Sequence, residues 1–393
     1  MASVSIKSPA NSASPIGENL DLTLLFAVLA LLAIGLIMVC SASITIADRN
    51  FDAPFHYFIR QSVYVMLGLG AGILAASISL EHWERYSPLL LVIGFVLLLL
   101  VLIPGIGREV NGSRRWLPLG IINLQASELV KLFVIVFLAG YLVRRAREVR
   151  ETIAGFTKPL GVLALLSLLL LAEPDFGSTA VMMATAMGML FLAGVPLNRF
   201  AVLVATVLGL LALLVMIEPY RVARLTSFMN PWADPFDSGF QLTQALIAFG
   251  RGEWLGVGLG GSIQKLFYLP EAHTDFVYAV LSEELGLLGG AVVILLFGLV
   301  VWRAFRIGKL ALRCGQPFAG YLAFGIGLWI GMQAFINIGV NMGVLPTKGL
   351  TLPLMSYGGS SIVVMCMAIA LLLRIHYEAK LIGPVERRKE ARV

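Results

Sequence analysis

Charged residues are scarce in this chain. Asp, Glu, Lys and Arg make up 13% of its 393 positions, whereas hydrophobic residues make up 59%. A soluble domain normally carries about 25% charged residues, and the mean hydropathy here is strongly positive, at +0.89. The shortage of charge therefore excludes an ordinary soluble domain and indicates an integral membrane protein.

Cysteine is also scarce, with three residues in the whole chain. Cys40, Cys314 and Cys366 show no pair spacing, and two of them fall inside apolar runs. This pattern indicates neither a disulfide framework nor a zinc site. The net charge of +6 arises largely in cytoplasmic loops and in a basic tail, where anionic lipid is the expected partner, so no nucleic-acid role is predicted.

Apolar runs long enough to cross a bilayer are frequent, since a spanning helix needs about 20 residues. The predicted spans are residues 22–41, 57–78, 88–104, 128–143, 159–172, 177–195, 199–217, 276–302, 318–342 and 352–373. The fifth and sixth remain separate, because EPDFG at 173–177 would place a proline and two carboxylates in mid-membrane. The sequence thus predicts an all-α integral membrane protein with ten transmembrane helices.

Lys and Arg are concentrated in the loops that follow even-numbered spans and in both tails. Because basic loops resist translocation, both termini are predicted to be cytoplasmic. We expect a disordered cytoplasmic tail over residues 1–20, a membrane domain over 21–378 and a basic cytoplasmic tail over 379–393.

One outward loop, residues 218–275 between spans seven and eight, is far longer than the others. Within it, QLTQALIAFGRG at 241–252 predicts a short amphipathic helix that ends in glycine. GVGLGGS at 256–262 is either a bending loop or a phosphate cradle, and the absence of a preceding strand favours the bend. Loops of this length are usually functional or disordered, and this one is too apolar for disorder.

Two charged sites lie close to the predicted membrane. Glu128 and Lys131 are three positions apart at the start of the fourth span, so they share a helical face, where they form a structural ion pair or serve a polar cavity. Arg114, Arg115 and Trp116 precede them and either hold an anionic amphipathic ligand or anchor the loop at the interface.

Lys348 lies in an interrupted apolar segment, NMGVLPTKGLTLPLMSYGGSS at 341–361. Pro346, Pro353 and the glycine pair at 358–359 predict a re-entrant or broken helix, which is tolerated only where the freed backbone groups find partners or line a cavity. This pattern is typical of a binding site, although close packing of small residues against a neighbouring helix also explains the glycines.

These stretches together resemble the SEDS family of bacterial cell-wall proteins. The matching motifs are NGSRRW, QASELVKL, EPDFGST, YRVARL, DPFDSGFQ, LPEAHTDF, EELG, LPTKGLTLP and SYGGSS, in this order between residues 20 and 378. TKGL at 347–350 and PEAHTDF at 270–276 are more similar to division-type members than to elongation-type members. Ala126 departs from the family, where proline is common before Ser-Glu, but Glu128 stays in register.

The resemblance implies a peptidoglycan glycosyltransferase that polymerises lipid II, the undecaprenyl-pyrophosphate-linked disaccharide pentapeptide, at the outer face of the bacterial cytoplasmic membrane. The reaction inverts the anomeric carbon and needs one general base, and Asp275 matches the family residue with that role. Of the carboxylates that follow it, Glu283 and Glu284, one is expected to hold the cavity or the long loop. Further binding or cavity residues implied here are Arg114, Arg115, Trp116, Glu128, Lys131, Arg221, Arg224, His273, Thr274, Glu283, Lys348 and Ser356.

The departing diphosphate needs positive charge, from basic side chains or from a divalent cation such as Mg²⁺ or Mn²⁺. Asp234 and Asp237 are a lone acidic pair in a loop and form no metal motif, so the metal question stays open. The resemblance implies a class B penicillin-binding transpeptidase and the division proteins FtsQ, FtsL and FtsB as partners at the septum. A lipid II flippase and a non-catalytic scaffold are the alternatives, and the gathering of unusual residues on the outward side favours the polymerase.

Overall fold

Long apolar helices form nearly all of the structure, a computed structural model that describes residues 20–110, 113–118, 123–217, 222, 228–235, 239–346 and 349–383. The helices of the first half are α1 (Leu22–Phe51), α2 (His56–Ser77), α3 (Leu80–Arg85), α4 (Ser87–Leu102), α5 (Ala126–Arg144), α6 (Ala146–Glu151), α7 (Ile153–Ala172), α8 (Phe176–Leu192) and α9 (Leu197–Ile217). Those of the second half are α10 (Phe240–Gly252), α11 (Val277–Arg313), α12 (Pro317–Asn341) and α13 (Gly359–Ile382).

Ten of these helices correspond to the ten predicted spans. Seven of them are long and apolar enough to cross a membrane, namely α1, α2, α5, α7, α11, α12 and α13. The other three, α4, α8 and the segment Leu197–Leu210 of α9, are shorter and equally apolar. The break between α7 and α8 falls at residues 173–175, within EPDFG as expected. The predicted all-α, multi-pass membrane fold is confirmed.

The eighth and tenth predicted spans differ in their bounds from the corresponding helices, α11 and α13. Residues 342–358 are non-helical where they are described, so α13 begins at Gly359 and not at residue 352. The two prolines of this segment explain the late start, because each removes a backbone donor and restricts the residue before it. The eighth span, predicted to end at residue 302, continues as α11 to Arg313, because its basic last turns are helical as well.

A small antiparallel sheet between α4 and α5 was not predicted. Its strands are β1 (Arg108–Val110), β2 (Ser113–Pro118) and β3 (Asn123–Gln125), in the order β1-β2-β3. Arg114 lies opposite Glu109, and Trp116 opposite Gln125. Such short polar strands carry little periodic signal, which is why the sequence indicated only a loop here.

Helix α10 and the glycine loop that follows it pack tightly on α11. A methyl group on Gly252 would lie 1.9 Å from the carbonyl oxygen of Ser282, so only glycine permits this approach. The amides of Val257 and Gly258 donate to the carbonyls of Glu283 and Glu284, each at 3.0 Å. These two amides are therefore engaged within the protein, which favours the bending loop over a phosphate cradle.

The start of α1 is tied to the far half of α11. Asp21 caps α1, because its Oδ1 accepts from the amide of Leu24 at 3.1 Å. Its other oxygen accepts from Arg303 Nε at 2.8 Å, and Asp21 is buried. The ten crossings that the sequence predicts would place residues 20 and 383 on the same side of the membrane, as expected for the two tails.

The predicted orientation can be tested with cysteine substitutions in a chain without its native cysteines. Trp254 and Tyr268 are 69% and 53% exposed in the long loop, and the Arg147 side chain is 87% exposed in α6. A membrane-impermeant thiol reagent applied to intact spheroplasts is expected to label W254C and Y268C and to leave R147C unlabelled. S262C is the matched control. Ser262 lies in the same loop but is only 2% exposed, so a cysteine there should stay unlabelled. Labelling of R147C alone would show that the orientation is the opposite of the one predicted.

Candidate active site

Asp275 lies in the turn that leads into α11, and side chains from α12 fix its backbone. Its carbonyl oxygen accepts from Asn337 Nδ2 at 2.9 Å and from Asn341 Nδ2 at 3.0 Å. A methyl group built on Gly349 would lie 3.1 Å from Asp275 Oδ2, so the carboxylate lies beside Gly349, the third residue of the TKGL motif. The structure thus brings together two motifs that are more than 70 residues apart in the sequence.

The broken segment before α13 is held by hydrogen bonds from two helices and by packing against a third. Gln333 of α12 donates to the Thr351 carbonyl at 3.0 Å, and Asn337 donates to the Leu350 carbonyl. From α2, Gln61 donates to the Ser356 carbonyl at 3.0 Å. A methyl group on Gly35 of α1 would lie 2.6 Å from the Met355 Cα, so α1 packs on the segment as well. The predicted interruption of the last span therefore exists, and the carbonyls of Leu350, Thr351 and Ser356 within it are partnered.

Ser356 organises the same segment from within. Its hydroxyl accepts from the Leu352 amide at 2.8 Å, and its side chain is buried. Thr351 Oγ1 and Ser361 Oγ lie 3.1 Å apart, which links the segment to the first turn of α13. Gly359 packs against Tyr64 of α2, where a methyl group would lie 3.0 Å from the ring, so tight helix packing accounts for that glycine.

The ion pair predicted between Glu128 and Lys131 is present in the first turns of α5. Lys131 Nζ lies 2.9 Å from Glu128 Oε1, with side-chain exposures of 1% and 4%. Lys131 also donates to Gln333 Oε1 at 2.9 Å, and this oxygen accepts from Trp329 Nε1 at the same distance. Gln333 therefore connects the buried pair to the Thr351 carbonyl and hence to the segment beside Asp275.

Three polar residues of α12 carry this arrangement and were missing from the predicted site. Gln333, Asn337 and Asn341 are spaced by four positions, so they lie on one helical face, and all are buried. An amide stripe of this kind inside an apolar span is a signal that sequence inspection offers, because unpaired polar groups are costly there. Gln61 of α2, a buried polar residue inside another apolar span, was also missing from the predicted site.

His273 is packed against aromatic rings two positions before Asp275. Its ring centroid lies 4.6 Å from that of Tyr57 and 5.6 Å from that of Tyr357, and its carbonyl accepts from the Tyr357 amide at 2.9 Å. Burial lowers the pKa of His273, and Glu271 partly opposes this shift. The imidazole is therefore neutral at neutral pH and joins the turn to the start of α13. Thr274 donates to the Glu271 carboxylate at 2.7 Å.

Glu283 and Glu284 bind the long loop to the bundle. Glu283 accepts from Arg251, from Ser262 and from the Ile263 amide, the last at 3.1 Å. Glu284 accepts from Lys265 Nζ at 2.8 Å. It also accepts from Ser41 of α1 at 2.7 Å. Both carboxylates are fully buried, so their contacts correspond to the loop-holding role expected for one of them, and a substrate contact of Glu283 stays a prediction.

The basic residues of β2 have partners within the protein. Arg114 pairs with Glu109 at 3.1 Å in an exposed position. Arg115 donates to the carbonyls of Glu173 and Pro174, at 3.1 and 2.7 Å. Trp116 is half-buried. Arg115 thus joins the sheet to the EPDFG turn, and a further role in binding a ligand stays a prediction.

Several predicted residues fall outside the part of the chain that the structure describes. These are Arg221, Arg224, Asp237 and Lys348. Among the described residues, no group of three or more His, Cys, Asp or Glu side chains is arranged to hold a metal ion. The divalent cation expected as one option for the leaving group stays a prediction.

Comparison with known proteins places these features in one family. The chain matches the family model of the cell cycle proteins FtsW, RodA and SpoVE over residues 22–381. It is 57% identical over 370 residues to a protein of Thioalkalivibrio sulfidiphilus named probable peptidoglycan glycosyltransferase FtsW, covering 94% of this chain and 92% of that one. A protein of Nitrosococcus halophilus with the same name is 60% identical over 360 residues, with coverages of 92% and 93%.

Solved structures share the fold. One chain from a peptidoglycan synthase complex that coordinates polymerization and crosslinking superposes with a TM-score of 0.74 at 29% identity, covering 92% of this chain and 98% of that one. The rod shape determining protein RodA of Thermus thermophilus superposes with a TM-score of 0.65 at 29% identity, with coverages of 91% and 96%.

Glu173 is expected to make stability depend on pH. Burial, together with the neighbouring Asp175, raises its pKa from 4.5 to about 8, and neither carboxyl oxygen has a hydrogen-bond partner among the described residues. The folded protein keeps the proton that the unfolded chain loses, so this contribution to stability is present below pH 4.5 and lost as the pH rises through about 8. Glu173→Gln should raise the thermal midpoint of the purified protein at pH 8 by at least about 2 °C.

The control for this measurement is Glu109→Gln, because the Glu109 side chain is 54% exposed. This change should leave the pH dependence of the midpoint unaltered. An equal pH slope in Glu173→Gln and the unaltered protein would show that Glu173 is ionised in the folded state.

The Glu128 and Lys131 pair generates a prediction of energetic coupling. Lys131→Met leaves a buried carboxylate without its cation and should cost roughly 3–5 kcal/mol of stability. The double change Glu128→Gln with Lys131→Met removes both charges and should cost less than Lys131→Met alone. Thermal unfolding of the purified variants in detergent measures both effects. A double variant no more stable than Lys131→Met would contradict the coupling.

Proposed function

The chain belongs to the cell cycle protein family of FtsW, RodA and SpoVE, and we propose that it polymerises lipid II into glycan strands during septal cell-wall synthesis. The chain is a multi-pass membrane protein and a peptidoglycan glycosyltransferase, as its high identity to proteins named FtsW indicates. The observation that carries the finer proposal is the position of Asp275, fixed at the start of α11 beside the backbone of Gly349.

The proposed reaction is a single displacement. The 4-hydroxyl of the acceptor GlcNAc attacks the anomeric carbon of the donor MurNAc, and the bond from that carbon to the diphosphate of the lipid breaks. Asp275 accepts the hydroxyl proton, and undecaprenyl diphosphate departs with the bonding electrons. One attack from the opposite face inverts the configuration from α to β, so no second carboxylate is needed as a nucleophile.

The surroundings of Asp275 support a role as general base. The two asparagines donate to its backbone carbonyl, so they fix the position from which the carboxylate extends. Residue 349 is a glycine and so places no side chain of its own against Oδ2, to which a methyl group there would lie at 3.1 Å. Both features favour access of an acceptor hydroxyl, because a base must reach hydrogen-bonding distance of the proton that it removes.

The departing diphosphate requires compensating positive charge. Lys348 is our first candidate, because its neighbour Gly349 lies beside the Asp275 carboxylate. Arg115 joins β2 to the EPDFG turn, and Arg221 and Arg224 belong to the long outward loop. A Mg²⁺ or Mn²⁺ ion remains the alternative source of charge. Lys131 is committed to Glu128 and Gln333, so we assign it a positioning role.

Polymerisation would be coupled to crosslinking by a partner. A related chain belongs to a synthase complex that coordinates the two activities. We propose a class B penicillin-binding transpeptidase as the partner of this chain, with FtsQ, FtsL and FtsB in the same division assembly at the septum. The similarity to proteins named FtsW supports the division role.

Asp275→Asn tests the proposed base. The change keeps the size of the side chain and the backbone contacts to α12, so folding should be retained. Polymerisation of lipid II by the purified protein, reconstituted with and without its transpeptidase, should fall at least about 100-fold. Separation of the glycan products by length measures the loss. Near-normal product from this variant would remove Asp275 from the mechanism.

The matched control is Glu271→Gln, which also neutralises a carboxylate in the same turn. Glu271 is exposed, and glutamine keeps an oxygen that can accept from the Thr274 hydroxyl, so this variant should retain activity. An equal loss in both variants would indicate that the charge of the turn matters and not a specific base. Transfer of lipid II across vesicles without any glycan product would favour the flippase.

A further inference from the structure

A groove rich in basic residues lies at the end of α11 remote from Asp275. It has about 510 Å³ of space and is lined by Trp302, Arg303, Arg306, Lys309 and Arg313 of α11 and by His376 of α13, together with apolar side chains. We call it the basic groove. Helix α11 is kinked at Gly286, and its part from there to Trp302 spans 16 residues, a rise of about 24 Å, so the basic groove is not part of the candidate active site.

Three cations of the basic groove have no carboxylate partner among the described residues. Arg306, Lys309 and Arg313 are exposed and make no ion pair there, whereas Arg303 is paired with Asp21. Their spacing of three and four positions places them on one helical face, where like charges repel. In the sequence, the segment ERRKEAR at 386–392 also has a net positive charge. An external anion would therefore stabilise this face.

Trp302 gives the basic groove an interfacial character. The Arg306 guanidinium lies 4.8 Å from the centroid of its ring, and that of Arg303 lies 5.5 Å from it. Tryptophan is enriched at the level of lipid headgroups, and the predicted eighth span ends at residue 302. The basic groove thus begins where the apolar part of α11 ends, on the side that the distribution of Lys and Arg assigns to the cytoplasm.

We propose that the basic groove binds an anionic phospholipid of the cytoplasmic leaflet, with a headgroup that carries two phosphates. Basic pockets between transmembrane helices on this side suit such headgroups. Arg306 and Arg313 are seven positions apart, a rise of about 10 Å, so their long side chains can contact two separate phosphates at once. The space of about 510 Å³ also exceeds the volume of a single phosphate group.

Native mass spectrometry of the full chain in detergent can measure this binding. The probes are tetraoleoyl cardiolipin, dioleoyl phosphatidylglycerol and dioleoyl phosphatidylcholine. Cardiolipin is expected to bind one per chain, more tightly than phosphatidylglycerol, and phosphatidylcholine should not compete. The triple variant Arg306→Gln, Lys309→Gln and Arg313→Gln should bind cardiolipin about 100-fold more weakly, because each basic residue contributes separately.

The matched control removes the same charge elsewhere on the same predicted side, in the triple variant Arg85→Gln, Arg147→Gln and Lys158→Gln. Cardiolipin affinity should stay within about twofold in this variant. An equal loss in both triple variants would show that only the overall charge attracts the lipid. Equal affinity for phosphatidylglycerol would contradict a two-phosphate site. Displacement of cardiolipin by millimolar glycerol phosphate would show that the basic groove binds a soluble anion and not a lipid. A correctly folded groove variant with unchanged cardiolipin binding would overturn the proposal.

Discussion

The interrupted segment before α13 depends on the amide side chains of α12. A backbone that leaves the helix within a membrane domain must find partners for its polar groups, since lipid offers none. Gln333 and Asn337 provide them for the carbonyls of Thr351 and Leu350, and Asn337 and Asn341 also hold the carbonyl of Asp275. These three amide side chains thus bind backbone carbonyls in two irregular stretches, the turn at Asp275 and the segment before α13, and fix the position of one relative to the other.

The same amide side chains connect the buried ion pair to the candidate base. Lys131 contacts Gln333, which contacts the segment that runs beside Asp275. A buried pair of this kind contributes little net stability, because desolvation offsets its Coulomb energy, yet it penalises every arrangement in which one partner is lost. The pair is therefore best understood as fixing α5, α12 and the interrupted segment in one register. A base acts efficiently only when its position is held in advance.

The spans were predictable because hydropathy and length act locally, and the Glu128 and Lys131 pair because a three-residue spacing fixes a shared helical face. The EPDFG break and the interruption around Pro346 and Pro353 followed from the chemistry of proline. The partners of these sites were not predictable. Lys131 meets Gln333 at a separation of 202 residues, and Gln61 meets Ser356 at 295, and no local pattern encodes such pairings. The small sheet, with two three-residue strands, was too short to show a period.

The depth of the polar contacts bears on the choice between a polymerase and a carrier. Gln333 lies eight positions before the end of α12 at Asn341, a depth of about 12 Å, and Lys131 lies in the second turn of α5. The contacts that converge on Asp275 therefore lie in the half of the bundle predicted to face outward. A carrier needs binding groups that become accessible from both sides, usually near the midplane. An enzyme that meets its lipid-linked substrate at the outer face needs only one such side, and this arrangement fits that requirement.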